Sequence, residues 1–292
     1  LTVAGAHAGR HVLCEKPLDV TLAAAAAAAE ACHAAGVRLF PVFQGRFGVA
    51  RHLLQAVRSG RLGDLVNVRV SMKWRRDDAY YASAAWRGTR RLDGGGCLIN
   101  QAIHGIDLAL AAAGPAVSVQ AEVANRSHPH LEVEDTVALL LRHRDGALTI
   151  FEATTSTDQE LPMEIEATGT RGTIAIAGNA IVRWQLADGS APPTPEPDEP
   201  SAEAPETEHR SWKHRRQFAD VLRALKDGRQ PTVVVDDGLR ALATVEAAYA
   251  AGRLGAAVTP KEWPTGAWAS TRARMAIGGA RIIENATSCA AT

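Results

Sequence analysis

The stretch Asp93-Gly94-Gly95-Gly96-Cys97-Leu98-Ile99-Asn100-Gln101-Ala102-Ile103-His104-Gly105-Ile106-Asp107 decides how this chain is read. Three consecutive glycines free the backbone for a tight, crowded turn. The apolar positions that follow are compatible with a helix. On such a helix Asn100, His104 and Asp107 fall at i, i+4 and i+7 and share one face, while Leu98, Ile99, Ala102, Ile103 and Ile106 are left to bury the rest. An amide, an imidazole and a carboxylate aligned this way can serve as a small acid/base array. The same spacing suits a buried structural histidine beside an asparagine that caps local backbone, since structural networks also contain perturbed polar groups. Spacing alone leaves both readings open.

A second stretch bears on that choice. Val12-Leu13-Cys14 reads as a short apolar strand running into Glu15-Lys16-Pro17, where proline stops the ladder and fixes the turn. Glu-Lys-Pro followed at this distance by Gly-Gly-Gly-x3-Asn-x3-His-x2-Asp resembles the Gfo/Idh/MocA family (glucose–fructose oxidoreductase, inositol dehydrogenase, rhizopine catabolism). Its members are nicotinamide-dependent enzymes acting mostly on sugars, cyclitols and their derivatives. The resemblance runs from residue 1 to about Val258.

That resemblance implies roles. Lys16 matches the lysine that contacts the reacting hydroxyl and the cofactor, where positive charge stabilises a developing alkoxide. His104 matches the base, and imidazole alone among unperturbed side chains titrates near neutral pH. Asn100 stands where many members carry Asp; an amide can orient a hydroxyl or an imidazole but cannot relay a proton. Lys16, Asn100 and His104 are therefore the candidate catalytic residues, and these three with Gln101 the candidate substrate contacts. Candidates for holding NAD or NADP are Glu15, Lys16, Pro17, Gln44, Arg46, Trp86 and Arg87.

Gln44-Gly45-Arg46-Phe47 takes the place of a Q/N-x-R-F sequence at the crossing between two domains. Arg46 suits either an anionic cofactor or substrate group or a surface salt bridge. Trp86-Arg87 suits stacking plus a charged fork against a sugar or nicotinamide, or a packing Trp beside a solvated Arg.

Composition narrows the class. The 292 residues allow one to two domains. Hydrophobic residues at 46% and charged residues at 22% are ordinary for a globular protein. Lys+Arg and Asp+Glu are both 32, so no global charge favours nucleic acid or an anionic membrane. No segment reaches the roughly 20 apolar residues of a bilayer span, and no signal-peptide pattern is present. Cys14, Cys32, Cys97 and Cys289 are scattered without a C-x-x-C, so neither a disulfide framework nor a metal site is indicated, and a cytoplasmic setting is the default.

The rest of the chain fills in the architecture. Leu1 to Ala8 reads as the end of a helix, so the sequence opens inside a βαβ pattern. It contains no G-x-G-x-x-G. The expectation is that the first two βαβ units, on the order of 70–80 residues, are absent. Asp19 or Thr21 caps a helix through Ala23–Ala35, Val37–Val42 is a buried strand, Val49–Ser59 a helix and Val66–Trp74 a strand. After the central helix come strands at 117–124, 136–143, 147–155, 163–168, 173–176 and 181–186, with Asp145-Gly146 the strong two-residue hairpin signal and Gly178-Asn179 the weaker one. His128 and His130 read as exposed loop residues that lack a third metal ligand. Residues 187–208, with six prolines and many carboxylates, read as a solvated, disordered connector. Helices over 212–226 and 238–251 bracket a strand-like Thr232–Val235.

The expected fold is α/β plus α+β. Residues 1–45 are the remnant of a Rossmann-like parallel sheet. Residues 46–258 form a catalytic and oligomerisation domain with a large, mostly antiparallel, open-faced sheet packed on helices. Residues 259–292 are an atypical tail. The expected activity is hydride transfer between nicotinamide and a hydroxyl or carbonyl of a sugar, cyclitol or derivative. The expected partner is a carbohydrate-like small molecule, and the open sheet face is the expected homo-oligomer contact. An NAD-dependent glycosidase of the same fold, or a non-catalytic sheet or dimerisation module, are the alternatives.

Overall fold

A computed structural model describes residues 1–262; the part of the tail beyond Glu262 lies outside the described residues. Helix α1 (Thr2–His7) leads into strand β1 (Val12–Cys14). Thr21 then caps helix α2 (Leu22–Ala34), its hydroxyl accepting the Ala24 N–H at 3.2 Å. Strand β2 (Leu39–Pro41) runs parallel to β1, pairing Val12 with Leu39 and Cys14 with Pro41. It is shorter than the expected 37–42, although its three residues are all buried. A 3-10 turn (Gln44–Phe47) and helix α3 (Ala50–Arg58) carry the chain to strand β3 (Leu65–Lys73).

After a one-turn helix α4 (Asp78–Ala82) comes the central element, and it is not one uniform α-helix. Leu98–Ala102 form a π turn, continued as helix α5 over Ile103–Ala113. The wider π turn breaks the i, i+4, i+7 register assumed for Asn100, His104 and Asp107. The glycines before it meet neighbours directly. A Cβ at Gly96 would overlap the backbone carbonyl of Glu134, and one at Gly95 would overlap the Tyr249 hydroxyl.

Six further strands follow: β4 (Ala116–Ala124), β5 (Thr136–His143), β6 (Leu148–Thr154), β7 (Glu164–Gly169), β8 (Gly172–Ala177) and β9 (Ala180–Leu186). Together with β3 they make a seven-stranded sheet in the order β4-β5-β6-β3-β7-β8-β9, antiparallel except for the parallel β3–β6 pair. Along β5 and β6 burial alternates residue by residue, as expected for a sheet with one face on the core. Phe151, Met72 and Val70 point inward against Gly105 of α5, and Val137 and Leu139 are buried on the same face. The hairpin signals exchange strength. Gly178-Asn179 is the two-residue connection, between the paired Ala177 and Ala180. Asp145-Gly146 instead belongs to a longer loop closed by the His143 N–H on the Ala147 carbonyl at 2.9 Å, with Gly146 at φ 90°.

Helices α6 (Glu206–Asp227) and α7 (Val235–Leu254) complete the described chain. Thr232–Val235 is not a strand: the Thr232 N–H donates to Asp220 at 2.7 Å, and Val234 precedes α7. The proline-rich segment after β9 has no regular secondary structure, yet ion pairs pin it to the core. Glu199 accepts two bonds from Arg51, at 2.6 and 3.1 Å, Glu196 pairs with Arg216, and Asp198 accepts the Trp212 indole N–H at 3.2 Å. The expected disordered connector is thus an ordered strap, because its carboxylates face cations on α3 and α6. His128 is likewise buried rather than exposed. Its ring lies 2.9 Å from both an Asp135 oxygen and the Arg76 carbonyl.

Because the Gly96 contact is with backbone rather than with a movable side chain, Gly96→Ala is expected to cost about 3 kcal/mol of unfolding free energy. Urea denaturation followed by circular dichroism checks this. A midpoint equal to that of the parent chain is the contrary result.

Candidate active site

Three segments converge on one cleft. The turn after β1 supplies Glu15, Lys16 and Pro17, with the Lys16–Pro17 peptide cis. The π turn and the start of α5 supply Asn100, Gln101 and His104. Helix α6 runs alongside and brings in Lys213 and His214.

The Lys16 ammonium donates to the Asn100 backbone carbonyl at 2.7 Å, joining segments 84 residues apart. Asn100 itself is half-buried; its Nδ2 donates to Asp93 Oδ1 at 2.8 Å, and Asp93 Oδ2 accepts the Gly88 N–H at 3.0 Å. Burial pushes the Asp93 carboxyl up, against the pull of these two donors and of Arg87 and Lys16.

His104 is half-buried and sits edge-on to Phe43, with ring centroids 6.1 Å apart. Burial first, and then the charges of Lys16, His214 and Lys213, hold its imidazole well below the ordinary value. The ring is therefore neutral at pH 7 and able to accept a proton. His214 lies 4.0 Å from the Glu15 carboxylate.

The flank of the cleft is aromatic. Gln101 donates to the Tyr80 hydroxyl at 3.0 Å, and the Arg87 guanidinium reaches the same hydroxyl at 2.5 Å. Arg87 stacks 4.2 Å from the Tyr80 ring centroid and 4.5 Å from that of Trp86. Trp86 is exposed, so the pair is neither a packing Trp nor a freely solvated Arg.

Two candidates go elsewhere. Arg46 is buried and makes no surface salt bridge. It holds Asp107 through two bonds, at 2.9 and 2.5 Å, and Asp237 at 3.1 Å. With both carboxylates in place its fork faces protein, not a ligand. Asp107 is correspondingly drawn to Arg46 instead of joining Asn100 and His104; burial pushes its carboxyl up to about 6, opposed by Arg46. Sequence reading missed Tyr80, Asp93, Lys213 and His214. Asp93 opens the quoted motif and could have been found there, whereas α6 carried no signal that it borders the cleft.

The residues at the ends of β1 and β2 fit the nicotinamide end of a dinucleotide. Ligands of open α/β sheets bind at the carboxyl ends of parallel strands, and here those ends carry Glu15-Lys16-Pro17 and Gln44. The Gln44 Oε1 atom is buried without a hydrogen-bond partner, an acceptor that a carboxamide N–H suits. The glycine-rich cradle for a diphosphate is not among the described residues.

The arrangement brings a lysine, an imidazole and two amides together beside an aromatic flank, and comparison with known proteins supplies the family. Residues 50–175 match the GFO/IDH/MocA C-terminal domain. The chain is similar to the WlbA dehydrogenase from Bordetella pertussis, solved in complex with NADH and UDP-GlcNAcA, at 31% identity and a TM-score of 0.74, covering 89% of this chain and 75% of that one. The aldose-aldose oxidoreductase from Caulobacter crescentus, complexed with glycerol, is 30% identical with a TM-score of 0.72, over 88% and 74% of the two chains. D-apiose dehydrogenase from Paraburkholderia graminis is 27% identical over 270 residues, 88% of this chain and 68% of that protein. The chain belongs to the GFO/IDH/MocA family.

Removing the cation of the buried Asp107–Arg46–Asp237 cluster leaves two carboxylates facing each other without compensation. Arg46→Met is expected to destabilise the fold by about 3–5 kcal/mol. Thermal and urea unfolding test this, and a loss under 1 kcal/mol would contradict it.

Proposed function

We propose that this chain carries the catalytic residues of an NAD(P)-dependent oxidoreductase acting on a hydroxyl or carbonyl of a sugar, cyclitol or sugar derivative. The observation that carries this reading is the 2.7 Å bond from Lys16 to the Asn100 carbonyl, which sets the Glu-Lys-Pro turn against the segment bearing His104. Residues 1–45 are taken as nucleotide-binding and residues 46–258 as substrate-binding and catalytic.

In the oxidising direction His104 takes the proton of the substrate hydroxyl at its unprotonated ring nitrogen, while Lys16 stabilises the alkoxide that forms. Asn100 and Gln101 orient the substrate, with Trp86 and Arg87 forming its stacking wall. Glu15, Lys16, Pro17 and Gln44 would hold the nicotinamide end of the cofactor. NAD or NADP would supply the hydride acceptor or donor there.

The first test is titration of the purified chain with NADH and NADPH, followed by turnover assays with D-apiose and UDP-GlcNAcA. Saturable binding with turnover supports the reading, and a folded chain that neither binds nor turns over overturns it. His104→Ala is expected to lower kcat about 10²–10⁴-fold. Oxidation needs the unprotonated imidazole, so its rate falls as pH drops through the His104 pKa. Lys16 depresses that pKa; Lys16→Met therefore raises it and moves the acid limb of the rate profile upward, toward 6.5. An unmoved limb in the residual activity contradicts the role of Lys16.

The outer face of the large sheet supports self-association. Leu140 and Ile150 are exposed cross-strand partners, and exposed Leu148 pairs with Arg142 beside them. Ile150→Asp is expected to shift the chain toward monomer in sedimentation velocity, with unchanged circular dichroism. No helix among the described residues is long and apolar enough to cross a membrane. Cys14, Cys32 and Cys97 are free thiols, which supports a reducing, cytoplasmic setting.

A further inference from the structure

Asn100 stands where many family members carry a carboxylate, and the structure assigns a carboxylate to the adjacent space from another position. Asp93 lies seven residues earlier, before the three glycines, and is buried. Its Oδ1 accepts the Asn100 Nδ2 at 2.8 Å, and its Oδ2 is held by the Gly88 N–H at 3.0 Å. A carboxylate is an acceptor only, so it determines which end of the amide it faces. With Nδ2 committed to Asp93, Asn100 Oδ1 is turned the other way. Among the described residues no protein group donates to that oxygen, and it is not a buried orphan.

From this geometry we infer that Asp93 is a positioning residue. It locks the Asn100 side chain so that Oδ1 faces the Lys16–His104 cleft as a hydrogen-bond acceptor for a substrate hydroxyl. The neutral amide then offers the oxygen that a carboxylate at the same position would offer, without its charge, and the compensating negative charge sits behind it on Asp93. This rests on the oxidoreductase reading above. It extends that reading by selecting a substrate with a second hydroxyl next to the reacting carbon, one that donates to Asn100 while Lys16 and His104 engage the reacting oxygen.

A reciprocal exchange tests the assignment. Three variants, Asp93→Asn, Asn100→Asp and the double exchange, are compared with the parent chain using D-apiose and NAD⁺ across pH 5–9. Asp93→Asn removes the acceptor-only partner and frees the amide to turn, so kcat is expected to fall about tenfold or more with KM changed less than threefold. Asn100→Asp sets two carboxylates against each other, with Lys16, Arg87 and the Gly88 N–H the groups facing them. One carboxylate then retains a proton, and an ionisation absent from the parent enters the rate profile. The double exchange restores one carboxylate and one amide. It is expected to return kcat to within about threefold of the parent and to remove the added ionisation. A double exchange no better than Asn100→Asp, or an Asp93→Asn variant equal to the parent, overturns the assignment.

A second readout needs no turnover. The Asn100 side-chain amide proton resonances should shift as Asp93 titrates, and this response should vanish in Asp93→Asn. Absence of that response in the parent overturns the assignment even if the enzyme is active. Failure of D-apiose turnover with the response present counts against D-apiose as substrate and leaves the Asp93–Asn100 lock supported.

Discussion

One buried carboxylate holds the beginning of the central helix, and the geometry of the cleft depends on it. Glu134 accepts the Gly96 N–H and the Leu98 N–H, each at 2.9 Å, and the Tyr249 hydroxyl at 2.8 Å. Its backbone carbonyl takes the Cys97 N–H at 3.0 Å. The first N–H groups of a helix have no partner within it, and an anion placed there satisfies them while interacting favourably with the helix dipole. Burial pushes the Glu134 carboxyl up, and the donors pull the other way. Glu134 precedes β5 and Tyr249 lies on α7, so one group registers the glycine turn against both the sheet and the last helix. The close contacts at Gly95 and Gly96 follow from the same constraint, because the backbone must come within reach of Glu134 to be capped.

A second buried charge sets how the helices lie. Arg46, in the turn after β2, bridges Asp107 on α5 and Asp237 on α7. Such a cluster is expensive to desolvate and adds little net stability over apolar packing, but it tolerates few alternative arrangements because each group needs its partners. Charge pairing in this family member is thus spent on the frame around the cleft.

This division explains what could be read from the sequence. The strands were legible because alternation is a local property: Thr136–His143 runs inward and outward residue by residue on an amphipathic sheet. The helices and their glycine stops were legible for the same reason, as was the pairing of Glu-Lys-Pro with the glycine motif. Long-range compensation was not legible. Nothing near Arg46 in sequence announces Asp107 or Asp237. Nothing in the proline-rich segment announces that Arg51 and Arg216 wait for its carboxylates, so composition alone made it look solvated. The π turn was hidden too, because an apolar pattern compatible with 3.6 residues per turn absorbs one wider turn without visible disruption.

The amide at position 100 also has an electrostatic consequence. Lys16 docks on a neutral carbonyl, and after burial its field is the first charge that holds the His104 imidazole below its ordinary value. A carboxylate at position 100 would pair with Lys16 directly, cancel much of that field and let the imidazole pKa rise. With Asn100 in place and Asp93 behind it, the negative charge is displaced by the length of an amide. On the proposed roles, the ammonium adds to burial in holding the base unprotonated, and it can still meet the negative charge that develops on the substrate oxygen. A site arranged this way needs no proton relay through position 100. It needs an oriented acceptor there, and an orientation enforced by a fixed anion is what the Asp93 contact provides.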